Sequence, residues 1–295
     1  MSGTADPIVS PQWSQLDVGA LRGTVMVIGA SDTGKSTVAR YLYRELCRSG
    51  VRAAYQDGDV GQSTLGLPTT MTVQVAAAAG DDRFPPRGPR ATYFVGSTTP
   101  RGHMLPVVVG AFRLREQARS LGAGVVVVDT TGLVDADEGG RALKQWKIEL
   151  LAPTLVIGLQ HDRELEPVLW PLRLLRAEGR TRVVEWRVSP HAAPRSREER
   201  IAHRQARLAR YFRGAQPVRL ALNKMAVYDL ERLAAGALLA FQDEAGLTLG
   251  LGCVQEIDRR AWTVVARTPL PGLPEEARSV RFGLARWDPA NEREI

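Results

Sequence analysis

Apolar runs recur along the first two thirds of the chain without the polar alternation of a half-exposed strand. Thr24–Ile28, Val51–Gln56, Gly124–Val128, Thr154–Leu159 and Val183–Val188 are short and mostly aliphatic, and each predicts a buried strand. Between them the spacing turns helical. Ser36–Arg48 sets Val38, Ala39, Leu42 and Leu46 on one side, and Gly110–Leu121, Arg141–Leu151 and Glu164–Ala177 read as further helices. Residues 60–90 are rich in Gly, Pro and Thr and predict mostly loop, with a short helix near Val73–Ala79. Strands alternating with helices define an α/β class, a three-layer fold with a mainly parallel sheet. Beyond residue 215 the pattern becomes short strands joined by turns, at Leu220–Asn223, Ala237–Gln242, Leu247–Val254, Ala261–Ala266 and Val280–Trp287. The expected division is a segment over 1–22, an α/β domain over 23–214 and a small β-rich domain over 215–295.

Composition narrows the classes. A chain of 295 residues with 44% hydrophobic side chains can bury its own core, which excludes collagen-like, disulfide-scaffold and wholly disordered proteins. No apolar run approaches the roughly 20 residues of a membrane span. The opening Met-Ser-Gly-Thr-Ala-Asp-Pro carries no basic or apolar signal region, so neither secretion nor a membrane partner is expected. Two cysteines, Cys47 and Cys253, without a CxxC motif exclude structural zinc and make a reducing cytoplasm the expected compartment. The net charge of +7 has an uneven make-up: 35 of the 39 cationic residues are arginine, and the lysines are Lys35, Lys144, Lys147 and Lys224. Guanidinium groups pair bidentately with phosphate, which suits a phosphate-rich partner, although nucleotide composition or thermal adaptation explains an arginine bias as well.

Gly29-Ala30-Ser31-Asp32-Thr33-Gly34-Lys35-Ser36 fits GxxxxGK[ST] at every fixed position, after a predicted strand and before a predicted helix. The glycines let the backbone curl until its N–H groups converge on phosphate oxygens. Lys35 places a charge at the β- and γ-phosphates, the Ser36 hydroxyl can ligate Mg²⁺, and the helix N-terminus adds partial positive charge. The chain is therefore expected to have a P-loop NTPase fold and to bind a nucleoside triphosphate through Gly29, Ser31, Asp32, Thr33, Gly34, Lys35, Ser36 and Thr37.

Three further clusters carry candidate chemistry. Asp57-Gly58-Asp59-Val60-Gly61-Gln62 follows the second strand, where ligands of open α/β sheets lie; a carboxylate there can hold Mg²⁺-bound water or take a hydroxyl proton, although Asp-Gly is also a common turn. Asp129-Thr130-Thr131-Gly132 follows the third strand and fits either a DxxG nucleotide switch or a hydroxyl clamp for a second substrate. Arg200, Arg204 and Arg207 share one face of a helix whose Ile201, Leu208 and Phe212 point to the core, with Arg195 just before it. Such a row either closes over triphosphate oxygens or is a solvated face paired with Glu198 and Glu199.

Taken together, these residues resemble the P-loop polynucleotide 5'-hydroxyl kinases related to the RNA kinase subunit of pre-mRNA cleavage factor and to the ribosomal-RNA-processing kinases. The resemblance covers residues 22–215 well and 216–290 more loosely. It rests on the loop Gly29–Thr37; on Asp59, Gly61 and Gln62 of an Asp-x-Gly-Gln element; and on Tyr93-Phe94-Val95-Gly96-Ser97-Thr98-Thr99-Pro100. It rests also on Thr130 and Gly132 of a Thr-x-Gly-Trp clasp and on the arginines 195, 200, 204 and 207 ahead of Tyr211-Phe212-Arg213-Gly214. Leu133 stands where the family carries a tryptophan expected to stack on a substrate base.

The resemblance implies ATP and Mg²⁺ as cofactors and RNA or DNA 5'-hydroxyl ends as partners. It implies Asp59 as base and metal-associated residue beside Ser36, with Asp57 second. Lys35, Arg195 and Arg200 become catalytic, the arginines as a lid over the phosphates, and Gln62, Ser97, Thr98, Thr130, Thr131 and Arg204 border the acceptor strand. The segment around Trp13 is expected to approach the nucleobase. Alternatives of other classes are a GTPase-type switch using Asp129, an ATP-binding scaffold and a kinase of small-molecule hydroxyls. Asn223-Lys224-Met225-Ala226 lacks the carboxylate of an NKxD guanine reader, which weighs against the switch.

Overall fold

The computed structural model describes residues 9–174 and 181–295. After a short helix α1 (Pro11–Ser14), strand β1 (Gly23–Gly29) runs into the loop that opens helix α2 (Lys35–Arg48). Then come β2 (Ala53–Gly58), β3 (Thr70–Val75), β4 (Arg90–Phe94), α3 (Met104–Ser120), β5 (Val125–Thr130), α4 (Gly140–Leu151), β6 (Leu155–Gln160), α5 (Glu166–Leu174) and β7 (Arg182–Arg187). The strands form one seven-stranded sheet in the order β4-β3-β2-β5-β1-β6-β7. The run β2-β5-β1-β6-β7 is parallel throughout. From Thr24 of β1 onward, and throughout β2, β5 and β6, every residue is buried, which is why these strands show no polar alternation.

Three elements depart from expectation. Val73–Ala79 is no helix: residues 73–75 end β3, whose β-branched Thr-Met-Thr-Val-Gln-Val alternation suits a pleated strand, and a short apolar run does not distinguish the two by period alone. Strand β4 was not foreseen. Helix α3 begins at Met104, six residues before the expected Gly110, because Pro106 falls in its first turn, where a missing N–H costs nothing. Of the helix expected over 164–177, residues 175–177 lie outside the described residues.

The chain divides into two compact units. One comprises residues 1–59, 73–90 and 111–194; the other comprises 60–72, 91–110 and 195–295. In the second, helix α6 (Arg197–Phe212) precedes β8 (Gln216–Ala221), β9 (Ala226–Tyr228), β10 (Ala237–Gln242), β11 (Thr248–Asp258), β12 (Thr263–Thr268), β13 (Ser279–Asp288) and β14 (Arg293–Glu294). Their sheet has the order β14-β13-β10-β11-β12-β8, antiparallel at each of these pairings, with β9 added to β13 in parallel. Strand β10 is buried along its whole length because its two faces serve two cores. Ala237, Leu239 and Phe241 pack with Val264, Val280 and Phe282, while Leu238 and Ala240 pack with Leu208 and Phe212 of α6 and with Phe94. Helix α6 starts on a reciprocal capping box: the Ser196 hydroxyl accepts from the Glu199 N–H and the Glu199 carboxylate from the Ser196 N–H. No helix of the described residues is long and apolar enough to cross a membrane.

Candidate phosphate site and arginine helix

In the first unit, chemistry collects at the carboxyl ends of β1, β2 and β5. The loop after β1 folds back on itself: the Thr33 hydroxyl donates to the Ala30 carbonyl at 2.9 Å, and the Lys35 ammonium donates to the same carbonyl. Gly34 has φ +85°, a conformation that disfavours any side chain, and no side chain caps the start of α2. The helix therefore offers its first N–H groups to an anion. Thr33 and Lys35 are buried, while Ser31 and Ser36 face solvent. Gly132, from the segment after β5, lies so close to the loop that a Cβ there would stand 2.7 Å from the Ser31 backbone. The sequence Asp129–Gly132 thus lies directly against the phosphate loop.

The carboxylates differ in setting. Asp57 and Asp129 sit at paired positions of neighbouring strands and are both buried. Asp129 accepts from the Tyr55 hydroxyl at 2.9 Å through Oδ2, while Oδ1 meets no donor in hydrogen-bonding geometry. Burial raises its pKa; Ser36, Lys35 and Tyr55 oppose that rise. Asp59 is half-buried, and its N–H donates to Asp57 Oδ1 at 3.2 Å. Among the described residues no cluster of three His, Cys, Asp or Glu could hold a metal. Mg²⁺ beside a triphosphate requires no such cluster, since one or two protein oxygens suffice. The Ser36 hydroxyl with the buried Asp129 carboxylate is a hard-oxygen pair that fits it.

Lys144 and Lys147, both on α4 and both fully buried, belong to this end of the sheet. The Lys144 ammonium is saturated: it donates to the Thr131 carbonyl at 2.5 Å and to the hydroxyls of Thr130 and Thr131, each at 3.3 Å. The Thr130 hydroxyl also donates to the Val27 carbonyl at 2.8 Å, so this side chain is bonded inward. The Lys147 ammonium has no hydrogen-bond partner. Burial lowers both lysine pKa values; that of Lys147 falls to about 8, with Asp59 and Asp129 opposing the fall. Neither lysine was singled out from the sequence. The available signal was scarcity, since three of only four lysines are at this site. Within the segment expected to approach a nucleobase, Trp13 itself is a core ring, 5.3 Å from Tyr41 and 6.0 Å from Trp186 between centroids.

The remaining candidates belong to the second unit. Gln62 donates to the Arg200 carbonyl at 3.1 Å. Ser97 is buried, its hydroxyl accepting from the Thr99 N–H, while Thr98 is half-buried. Arg195 is exposed, and Arg200 donates to its carbonyl at 3.3 Å. Arg204 forms a bidentate pair with Glu294 at 2.7 and 2.9 Å, and Arg207 donates to the Gly66 carbonyl at 2.5 Å. His203, beside the Ser63 carbonyl, is pushed down in pKa by burial, with the Ser63 carbonyl opposing the fall and Arg207, Arg195 and Arg204 adding to it.

A glycine-rich loop between a parallel strand and a helix, with Lys-Ser at its end and an aspartate closing the adjacent strand, defines a P-loop nucleotide-binding protein. The family model described as mRNA cleavage and polyadenylation factor CLP1 P-loop matches residues 29–214. The chain belongs to that family. It is 34% identical over 206 residues to the polyribonucleotide 5'-hydroxyl-kinase of Pyrococcus furiosus, covering 69% of this chain and 54% of the relative. To the protein of the same description in Methanocaldococcus jannaschii it is 31% identical over 203 residues, with the same coverage. The chain thus spans about half the length of these curated relatives. A chain in the structure of the wild-type Clp1p–Pcf11p complex matches with a TM-score of 0.67 at 12% identity, over 93% of this chain and 77% of that one. At that identity the likeness is one of fold.

Proposed function

We propose that this protein is an ATP-dependent polynucleotide 5'-hydroxyl kinase that moves the γ-phosphate of ATP to the 5'-hydroxyl end of RNA or DNA, in the cytoplasm. The observation that carries this reading is that Asp129 acts on Ser36 and Lys35 of the GxxxxGKS loop and stands in register with Asp57, to which Asp59 is bonded. Phosphoryl transfer asks little covalent chemistry of a protein; it asks for positioning and for charge at the transferring group. Kinase names among the relatives favour the same reading.

In this proposal the loop backbone from Gly29 to Thr37 and the Lys35 ammonium hold the triphosphate, the ammonium exchanging its Ala30 carbonyl for phosphate oxygens. Mg²⁺, when bound, neutralises charge on those oxygens; Ser36 and Asp129 would hold it, with Asp59 as the further metal-associated carboxylate. Asp59 orients the 5'-hydroxyl and takes its proton. Arg195 and Arg200 contribute lid charge. Gln62, Ser97, Thr98, Thr131 and Arg204 contact the acceptor strand; Thr130, bonded inward, supports them from the framework.

Labelled γ-phosphate, Mg²⁺ and 5'-hydroxyl oligonucleotides of RNA and DNA test the reading. The expected result is label on the oligonucleotide, on RNA at least as readily as on DNA, and its loss in Lys35→Ala. Hydrolysis to free phosphate without transfer, also removed by Lys35→Ala, would replace the kinase with the switch or scaffold.

A further inference from the structure

Lys147 is a buried cation that nothing above employs. Its ammonium has under 1 Å² of exposed surface and no hydrogen-bond partner. It lies beside Gly58, next in sequence to Asp59: a Cβ built on Gly58 would stand 3.8 Å from Nζ, an ordinary contact distance. An unpaired ammonium in a protein interior is destabilising, and an apolar side chain of similar length would fill the same volume without that penalty. The neighbouring lysine one turn earlier shows what a structural lysine looks like here, with three acceptors around it. The charges that act on Lys147 favourably are those of Asp59 and Asp129. Asp129 accepts from Tyr55 through Oδ2, and its remaining oxygen, Oδ1, is the one that would serve Mg²⁺ beside Ser36, which leaves Asp59 as the acceptor for Lys147.

We propose that Lys147 is the positioning residue of Asp59: its ammonium donates to the Asp59 carboxylate when the acceptor is engaged, holding that carboxylate aimed at the 5'-hydroxyl. The proposal rests on the kinase reading for the role of Asp59, while the pairing itself does not. Lys147 moves no proton to the substrate and contacts no phosphate; it acts through Asp59 alone.

The test is a double-mutant cycle with a spectroscopic arm. Single-turnover transfer to a 5'-hydroxyl RNA is measured for wild type, Lys147→Met, Asp59→Asn and the double variant. Lys147→Met is expected to slow transfer about 30-fold while leaving ATP affinity within about 2-fold, and to change the rate less than about 2-fold when Asp59 is already Asn. Lys147→Arg, which restores charge in a bulkier form, recovers part of the rate. Effects that multiply in the double variant, or a Lys147→Met rate equal to wild type, would overturn the proposal. The second arm needs no activity. Carbon-13 labelling of lysine Cε yields four signals, one per lysine. With a 5'-hydroxyl RNA and ADP bound, the Lys147 signal, assigned by its loss in Lys147→Met, should shift in Asp59→Asn while that of Lys224 stays put. An unmoved Lys147 signal sinks the pairing whatever the enzyme does. A moved signal with no transfer in the wild type sinks the kinase reading and leaves the pairing standing.

Discussion

The phosphate loop of the first unit and the arginine helix of the second both concentrate positive charge, by opposite means. Around the loop the cations are buried lysines, and desolvation lowers the pKa values of Lys144 and Lys147. Along α6 they are arginines, half-buried or exposed, held by carbonyls and by Glu294. An ammonium can lose its proton when it is desolvated; a guanidinium is charged at any working pH and brings a fork that must be filled. Lysine at the buried end and arginine on the helix therefore follow from the two settings. This accounts for three of the four lysines in a chain that otherwise uses arginine.

The contrast is broken most severely at Lys35. Lys35→Ala should lower transfer by at least about 1000-fold with the fold retained, measured by label on the oligonucleotide and by circular dichroism. Next is Asp129→Asn, which leaves Tyr55 its acceptor but removes the charge beside Ser36. It should slow transfer about 100-fold and raise the Mg²⁺ concentration needed for half-maximal rate.

The two lysines of α4 sharpen the comparison within one helix. Lys144→Met strands the Thr131 carbonyl and should lower stability by about 2 kcal/mol in urea unfolding. Lys147→Met should leave stability equal or higher, because it removes an unpaired charge. Linkage provides the pH test. The folded pKa of Lys147, about 8, lies below the ordinary lysine value of 10.5, so the unfolded chain binds the extra proton between these values. The penalty is present in full below pH 8 and disappears as pH rises toward 10.5. Wild type should gain about 3 kcal/mol across that window relative to Lys147→Met, and a flat difference would contradict the assignment. The smallest effect is on the arginine side. Arg204→Ala should lower stability by about 1 kcal/mol, and the double variant with Glu294→Gln should add little more, since the pair is partly exposed.

What could be read in advance follows the distance over which each feature is written. The phosphate loop is contiguous, and its eight residues carry their own context. The fully buried strands β1, β2, β5 and β6 were visible because burial on both faces leaves an unbroken apolar run. Strand β3 was not, because its six residues, five of them β-branched or polar, fit two periods among neighbouring glycines and prolines. The capping box of α6 was legible as Ser196-x-x-Glu199 and went unread. Lys147 lay further out of reach. Its meaning depends on the end of β2 at Gly58, on the buried face of α4 and on the end of β5, three segments brought together only by the fold.

The account stands most directly on where the γ-phosphate goes. In a single turnover with Mg²⁺, labelled ATP and a 5'-hydroxyl RNA, wild type should place the label on the RNA end. Asp59→Asn should bind ATP equally and place almost none there. Label released as inorganic phosphate by both proteins at the same rate, with the RNA unmodified, would contradict it.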